Sequence, residues 1–370
     1  MALRVLVADD SALFRRAIAD ALGEIADVEV VGSAPNGKIA VQKVKELQPD
    51  LLTLDIEMPE MDGLAVLDAL KQAGSTTSVM VISAVTLRGG RLTMQALEKG
   101  AFDFITKPQG RSAAESKAMI VGELAPRLRA LAHRRHIRSI LRPGSSGSSS
   151  PAPPRSSPLP DPARPVRENQ TRLLGKLPEL VLIGVSTGGP AALARLLPNI
   201  PKDLGVPIVV VQHMPPIFTQ SLAESLASKC SLRVREAADG DRVEPGLVFI
   251  APGGRQLRLV AGGDGQARAQ ITDDPPENNC RPAVDYLFRS AANNFPGRAM
   301  AVILTGMGSD GTLGLRLLRR HGCFTIAQDE ATSIVYGMPK AAVEAGVVDV
   351  VLPLDAIAAR IHATVRGRGS

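Results

Sequence analysis

Three carboxylates, a hydroxyl and an ammonium recur at one kind of position in the first third of this sequence. Asp9 and Asp10 follow the apolar run LRVLVA, Asp55 ends LLTLD, Ser83 ends SVMVIS, and Lys107 follows DFIT. Each run reads as a strand. In parallel α/β sheets ligands sit outside the carboxyl ends of the strands, so all five side chains are expected on one rim. Hard carboxylate oxygens suit Mg²⁺, while a lysine and a hydroxyl suit phosphoryl oxygens. A lone Asp at a strand end is often only a helix N-cap; the set of five points to metal-assisted phosphoryl chemistry.

A second constellation lies past the middle of the chain. After LVLIG comes GVSTGGP, in which Gly184, Ser186 and Gly188 fit G-x-S-x-G, a tight strand-to-helix turn that exposes a serine hydroxyl. Such a serine also reads as a simple helix cap, and as a nucleophile it needs a base and a group to orient that base. His213 closes the strand-like IVVVQ, and Asp310 follows AVILTG, so both fall on the rim where Ser186 belongs. The other histidines suit the task less: His133 and His136 lie in a basic helix, His321 between helix and strand, and His362 near the terminus. The order Ser, His, Asp is not that of α/β-hydrolases, so geometry has to decide.

The elements that must position these residues alternate along the chain. Five βα units fill about the first 125 residues, the pattern of a doubly wound parallel sheet. The alternation resumes with ELVLIGVS, passes through a β-rich insert around GLVFIAPGGRQLRLV, and closes on a C-terminal helix, which predicts a second α/β sheet. Between them, residues 145–165 read SSGSSSPAPPRSSPLPDPARP, too poor in apolar side chains to order. The expected organisation is therefore a first domain at 1–125, a basic helix and Ser/Pro-rich flexible linker at 126–171, and a second domain at 172–370.

Residues 3 to about 125 resemble response-regulator receiver domains, which are flavodoxin-like. That resemblance implies that Asp55 is the phosphoacceptor, charged by a chemotaxis histidine kinase, and that Asp9, Asp10, Asp55 and the backbone of Glu57 hold Mg²⁺. It also implies that Ser83 and Lys107 bind the phosphoryl group, with Phe104 as the rotating switch aromatic. Ser83 replaces the commoner Thr. The segments GVSTGGP, QHMPPIFTQSLAE, CRPAVDYLF, TGMGSDGTLGL and AQDEATSIVYGMPKAA are together similar to the catalytic domain of chemotaxis protein-glutamate methylesterases, the CheB family, from about Leu180 to Ile361. This second resemblance implies a Rossmann-like α/β domain with Ser186 as nucleophile, His213 as general base and then acid, and Asp310 orienting the imidazole. Thr187 flanks the site and the Met307 N–H helps form the oxyanion hole. Val185 stands where Ala is usual, and Ile217 where Gly is commoner. The implied activity is hydrolysis of glutamate methyl esters on the cytoplasmic helices of methyl-accepting chemoreceptors, with glutamine deamidation beside it and no cofactor in the catalytic half. The unphosphorylated receiver is expected to cover the catalytic face.

Composition bounds the alternatives. The chain has 370 residues, 45% hydrophobic and 22% charged, a globular balance at a length that predicts two or three domains. Its net charge of +6 is matched by six arginines, with no acid, between Arg127 and Arg142. This stretch reads as a basic connector. Aromatic residues are 3% with no Trp, leaving few stacking platforms for nucleic acid, and no helix-turn-helix follows the linker to support a DNA-binding response regulator. Gly306, Gly308 and Gly311 spell G-x-G-x-x-G, with Asp329 and Glu330 placed roughly as a ribose-binding acid would be, which raises an NAD-binding alternative. Against it, only 41 residues follow Asp329, too few for the rest of a two-half dinucleotide fold. No apolar run reaches the ~18 residues of a membrane span, and Met1 leads straight into a strand pattern, so a cytosolic protein without signal peptide or membrane insertion is expected. Cys230, Cys280 and Cys323 are odd in number and far apart, which predicts reduced packing residues, with neither a disulfide framework nor a Cys-based zinc site.

Overall fold

The computed structural model describes residues 2–108, 112–141, 176–263 and 265–367. The Ser/Pro-rich linker and Arg142 lie outside the described residues. In the N-terminal half, strands β1 (Leu3–Ala8), β2 (Val28–Ala34), β3 (Leu51–Asp55), β4 (Ser78–Ser83) and β5 (Asp103–Thr106) alternate with helices α1 (Ala12–Leu22), α2 (Gly37–Leu47), α3 (Gly63–Gln72), α4 (Leu87–Glu98) and α5 (Ala113–Leu141). The strands pair in parallel in the order β2-β1-β3-β4-β5. Helices cover both faces, so the strands at the centre read as unbroken apolar runs and β3 is buried along its whole length. All five helices begin where a polar side chain accepts an otherwise free N–H: Ser11 from Phe14, Asn36 from Ile39, Asp62 from Ala65, Thr86 from Gly89 and Ser112 from Glu115. Helix α5 continues through Pro126, and Leu128 and Leu131 are buried in the same core as Val5 and Val7. Arg127, first of the basic stretch, is paired with Asp103 at 3.0 Å and Glu123 at 2.6 Å.

The C-terminal half contains β6 (Leu180–Val185), α6 (Gly189–Leu196), β7 (Ile208–Gln212), α7 (Phe218–Ala227), β8 (Arg233–Glu236), β9 (Leu247–Ile250), β10 (Gln256–Ala261), β11 (Ala267–Thr272), α8 (Val284–Asn294), β12 (Ala299–Ile303), α9 (Thr312–Arg320), β13 (Phe324–Gln328), α10 (Met338–Glu344), β14 (Val350–Leu352) and α11 (Leu354–Val365). Seven strands form a parallel sheet in the order β14-β13-β12-β6-β7-β9-β8, while β10 and β11 make a separate antiparallel ribbon. The sheet grows from β6 first towards β7 and then, on the other side, from β12 outwards. The loops after β6, β7 and β12 thus meet at a topological switch point. The β-rich insert expected around GLVFIAPGGRQLRLV is corrected: Leu247–Ile250 belongs to the main sheet, and only Gln256–Ala261 enters the ribbon.

The two halves touch through α4, which lies on α6 and α7. Phe104 stacks on Phe218 with ring centroids 4.7 Å apart, and Glu98 accepts from Ser225 and pairs with Lys229. Gly90 permits the close approach, since a Cβ there would stand 2.5 Å from Ser221 Oγ. Ile217, facing the same glycine, has φ +74, a strained conformation for a β-branched residue and the one glycine would adopt freely. Met307, Ile334 and Val335, from the loops beside Ser186, share an apolar cluster with Ile120, Leu124 and Leu128 of α5.

Candidate active site

The first rim assembles as expected at the carboxyl ends of β1, β3 and β5. Lys107 Nζ donates to Asp55 Oδ2 at 2.7 Å and lies 3.1 Å from Asp9 Oδ2, an ion pair without hydrogen-bond alignment. Asp9 Oδ2 is therefore a buried acceptor with no hydrogen-bond donor among the described residues. Asp9, Asp10 and Asp55 bring carboxylate oxygens within 4.8 Å of one another. A donorless buried oxygen in such a cluster fits a hard divalent cation. Burial raises the Asp55 pKa against the opposing Lys107 ammonium, and the Asp9 charge adds to the rise. Burial opposes the Lys107 cation, yet Asp55 and Asp9 outweigh it and hold its proton more tightly than usual. Glu57 turns its side chain to Arg88 at 3.2 Å. The Ser83 hydroxyl lies 2.7 Å from Thr93 Oγ1, within reach of the Gly89 carbonyl, so it is tied to α4. Phe104 is buried, packed inwards onto Phe218.

The second rim follows from strand register. Val185 pairs with Gln212 and Gly184 with Ile303, which sets the next residues, Ser186 and His213, side by side at the end of the sheet. His213 N donates to Val185 O at 3.1 Å, and Ser186 N to Thr305 O at 3.0 Å. Gly188 starts α6 at φ +78, and a Cβ there would lie 2.6 Å from Ile334. Asp310 is buried and takes five donors: His213 Nε2 at 2.7 Å and Val284 N at 2.6 Å on Oδ2, and Asn278 Nδ2 at 2.9 Å with Asp285 N and Gly311 N at 3.0 Å on Oδ1. Burial favours the neutral acid there, but His213 and the backbone donors outweigh it and hold Asp310 below the usual carboxylate range. Burial likewise disfavours the His213 cation, yet Asp310 and the Cys280 sulfur push the imidazole up to about 9.

With Nε2 bonded to Asp310, Nδ1 is the ring nitrogen on the other side. Cys280 Sγ lies 3.5 Å from it. Among the described residues no hydrogen bond yet joins Ser186 Oγ to His213, as is common before substrate tightens a site. Thr187 is buried, its carbonyl accepting from Thr305 Oγ1 at 3.0 Å. No acceptor among the described residues takes the N–H of Thr187 or of Met307, the donors that the residue after a nucleophile and a neighbouring loop supply to an oxyanion hole.

Several residues that shape this site carry no sequence signal of their own. Gln212 donates to the carbonyls of Ser186 and His213. Asn278 bridges Asp310 to Asp285, and burial, then the Asp310 charge against the Gly314 N–H, pushes Asp285 up to about 6. The only hint is their place in motif segments: Gln212 adjoins His213, and the others lie in or beside CRPAVDYLF. Cys323 is a buried packing residue and Cys230 packs against the core. Cys280 corrects the expectation for all three, because it faces His213. The dinucleotide alternative is also corrected: Gly306 is pressed against Ser186, where a Cβ would lie 2.8 Å from the serine Cβ, and Asp310 inside the motif is saturated by its five donors.

Fold and site together define a receiver-type sheet joined to an α/β domain that gathers a serine, a histidine and an aspartate at its switch point. The response regulator receiver domain model matches residues 5–118, and the CheB methylesterase model matches residues 181–361. A relative from Desulfotalea psychrophila is 48% identical over 98% of this chain and 99% of its own length, and one from Trichodesmium erythraeum is 43% identical over 97% of each. Both are named protein-glutamate methylesterase/protein-glutamine glutaminase. The crystal structure of the Thermotoga maritima CheB methylesterase catalytic domain is 46% identical, covering 50% of this chain and 97% of that one at a TM-score of 0.49. The chain belongs to the CheB methylesterase family, as an ester hydrolase that carries a response-regulator receiver domain. No described helix is long and apolar enough to cross a membrane.

Proposed function

We propose that this protein hydrolyses glutamate γ-methyl esters, and deamidates glutamines, on the cytoplasmic helices of chemoreceptors, in the cytoplasm and under control of phosphorylation at Asp55. Residues 1–125 act as receiver, 126–171 as connector and 172–370 as hydrolase. The observation that carries the reading is the 2.7 Å bond from His213 to Asp310 at strand ends flanking Ser186. Ser186 Oγ attacks the ester carbonyl while its proton passes to His213 Nδ1, and Asp310 stabilises the imidazolium through Nε2. The N–H groups of Thr187 and Met307 stabilise the oxyanion. His213 returns the proton to the departing methoxide, which leaves as methanol. Water then cleaves the acyl-serine by the same path, with Nδ1 taking the proton of the attacking water. A glutamine amide offers the same carbonyl and leaves as ammonia.

In the receiver half, Asp55 accepts the phosphoryl group of a histidine kinase, with Lys107 and Ser83 on its oxygens. Asp9, Asp10, Asp55 and the Glu57 carbonyl would hold Mg²⁺, which when bound would supply positive charge to offset that of the phosphoryl group. Ser83 is bonded to α4, and Phe104 links the receiver to α7; drawing either towards the phosphoryl group loosens the cover over Met307 and Ser186. The test is methanol release from methylated receptor membranes. Ser186→Ala should lower kcat about 10⁶-fold, as loss of a triad nucleophile does; near-normal release by the folded variant removes the reading.

A further inference from the structure

We propose that Cys280 and His213 form a reversible, inhibitory binding site for a thiophilic divalent metal ion such as Zn²⁺. Cys280 Sγ and His213 Nδ1 stand 3.5 Å apart. Zn–S and Zn–N bonds of about 2.3 and 2.0–2.1 Å meeting at a tetrahedral angle span roughly the same distance, so both ligands are already at coordination spacing. The far side of the ring supports this: His213 Nε2 is hydrogen-bonded to Asp310 at 2.7 Å, the carboxylate–histidine arrangement that orients metal-binding imidazoles and raises their basicity. Cys280 is only partly buried. Cys280, His213 and Asp310 also present ligand atoms within 4.8 Å of one another. Asp310 acts behind the ring and does not ligate, because its oxygens already hold five donors.

Two protein ligands are fewer than the three or four of resident zinc sites, so the ion is exchangeable and water completes its shell. Binding releases to solvent the Cys280 thiol proton and, where the ring is an imidazolium, its Nδ1 proton as well, and occupies the Nδ1 lone pair that otherwise takes the proton of Ser186. The sequence expectation concerned a zinc site built from cysteines alone; one thiol beside the imidazole Nδ1 is a different kind of site. The coordination stands on geometry, whereas its inhibitory consequence rests on the proposed role of His213 as the base.

The experiment uses the full-length chain with Co²⁺ as spectroscopic probe and Zn²⁺ as inhibitor. Co²⁺ should give a near-ultraviolet thiolate charge-transfer band in the unaltered protein and in Ser186→Ala, and Zn²⁺ should displace it. The band should vanish in Cys280→Ala and in the closer-sized Cys280→Ser, both checked for native unfolding behaviour. The oxygen ligands of Asp9, Asp10 and Asp55 give no such band. Zn²⁺ should stop methanol release, a chelator should restore it, and Cys280→Ala should raise the half-inhibitory concentration at least about tenfold, the minimum loss usual for even an outer-shell partner. Absence of a Cys280-dependent band overturns the metal site. A Cys280-dependent band with undiminished methanol release overturns the role of His213 as base and leaves the site standing.

Discussion

Five donors converge on Asp310, so its geometry is fixed from several sides and its carboxylate is held ionised beside His213. Asp310→Asn keeps the shape but turns an acceptor into a donor at Nε2, which moves the ring proton to Nδ1 and disables the base. We expect a folded protein with methanol release lowered about 10⁴-fold, the cost of the wrong tautomer in comparable triads; a loss of less than tenfold contradicts the role assigned to Asp310. The pH dependence follows from the elevated His213 pKa. Only the neutral imidazole accepts the serine proton, so release should climb as pH rises through about 9. A rate already level by pH 7 contradicts this. The stability that the His213–Asp310 ion pair contributes has the opposite course: it is fully present below the unfolded histidine value of about 6.5 and is lost as pH rises through about 9. Ser186, His213 and Asp310 were legible in the sequence because each ends or follows an apolar run. Asn278 and Cys280 were not, because they sit on an irregular loop before α8 that no periodicity places on the rim.

Among the elements, α4 is the receiver helix that lies on both α6 and α7 of the other half. Two specific interactions in this contact between the halves are individually modest: an aromatic stack is worth about 0.5–1.5 kcal/mol beyond its area, and the partly exposed ion pair of Glu98 with Lys229 about 0–1 kcal/mol. A change near 1.4 kcal/mol, a factor of about ten, is thus enough to matter. Gly90→Leu improves the intrinsic helix propensity of α4 while driving a side chain into Ser221 and Ile217. We expect it to raise methanol release without phosphodonor by up to about tenfold and to leave little further stimulation. An unchanged basal rate in the folded variant argues against α4 as the contact that restrains the enzyme. Most elements were readable as apolar runs alternating with amphipathic ones. The exceptions have physical causes. Strand β8 reads RVRE, a short charged edge of the kind that resists further pairing, and the run containing β9 and β10 does not say which sheet each strand joins, because apolarity reports burial and not partner.

For the whole molecule, the two α/β sheets and their order were legible, but their contact was not. Phe104 and Phe218 are 114 positions apart in the sequence, and nothing local marks them as partners. Their stacking places Phe104 of the receiver against the first residue of α7 while α5 shares a cluster with the loop of Met307. We therefore expect the effect of one phosphoryl group on Asp55 to reach Ser186 through this contact, while the group itself stays on Asp55. This expectation is tested most directly by the initial rate of methanol release from methylated receptor membranes, before and after adding a small phosphodonor with Mg²⁺, for the full-length protein and for Asp55→Asn. We expect stimulation of the unaltered protein and none of Asp55→Asn, which should keep the basal rate. Equal stimulation of both proteins, or no stimulation while Asp55 demonstrably carries the phosphoryl group, would contradict it.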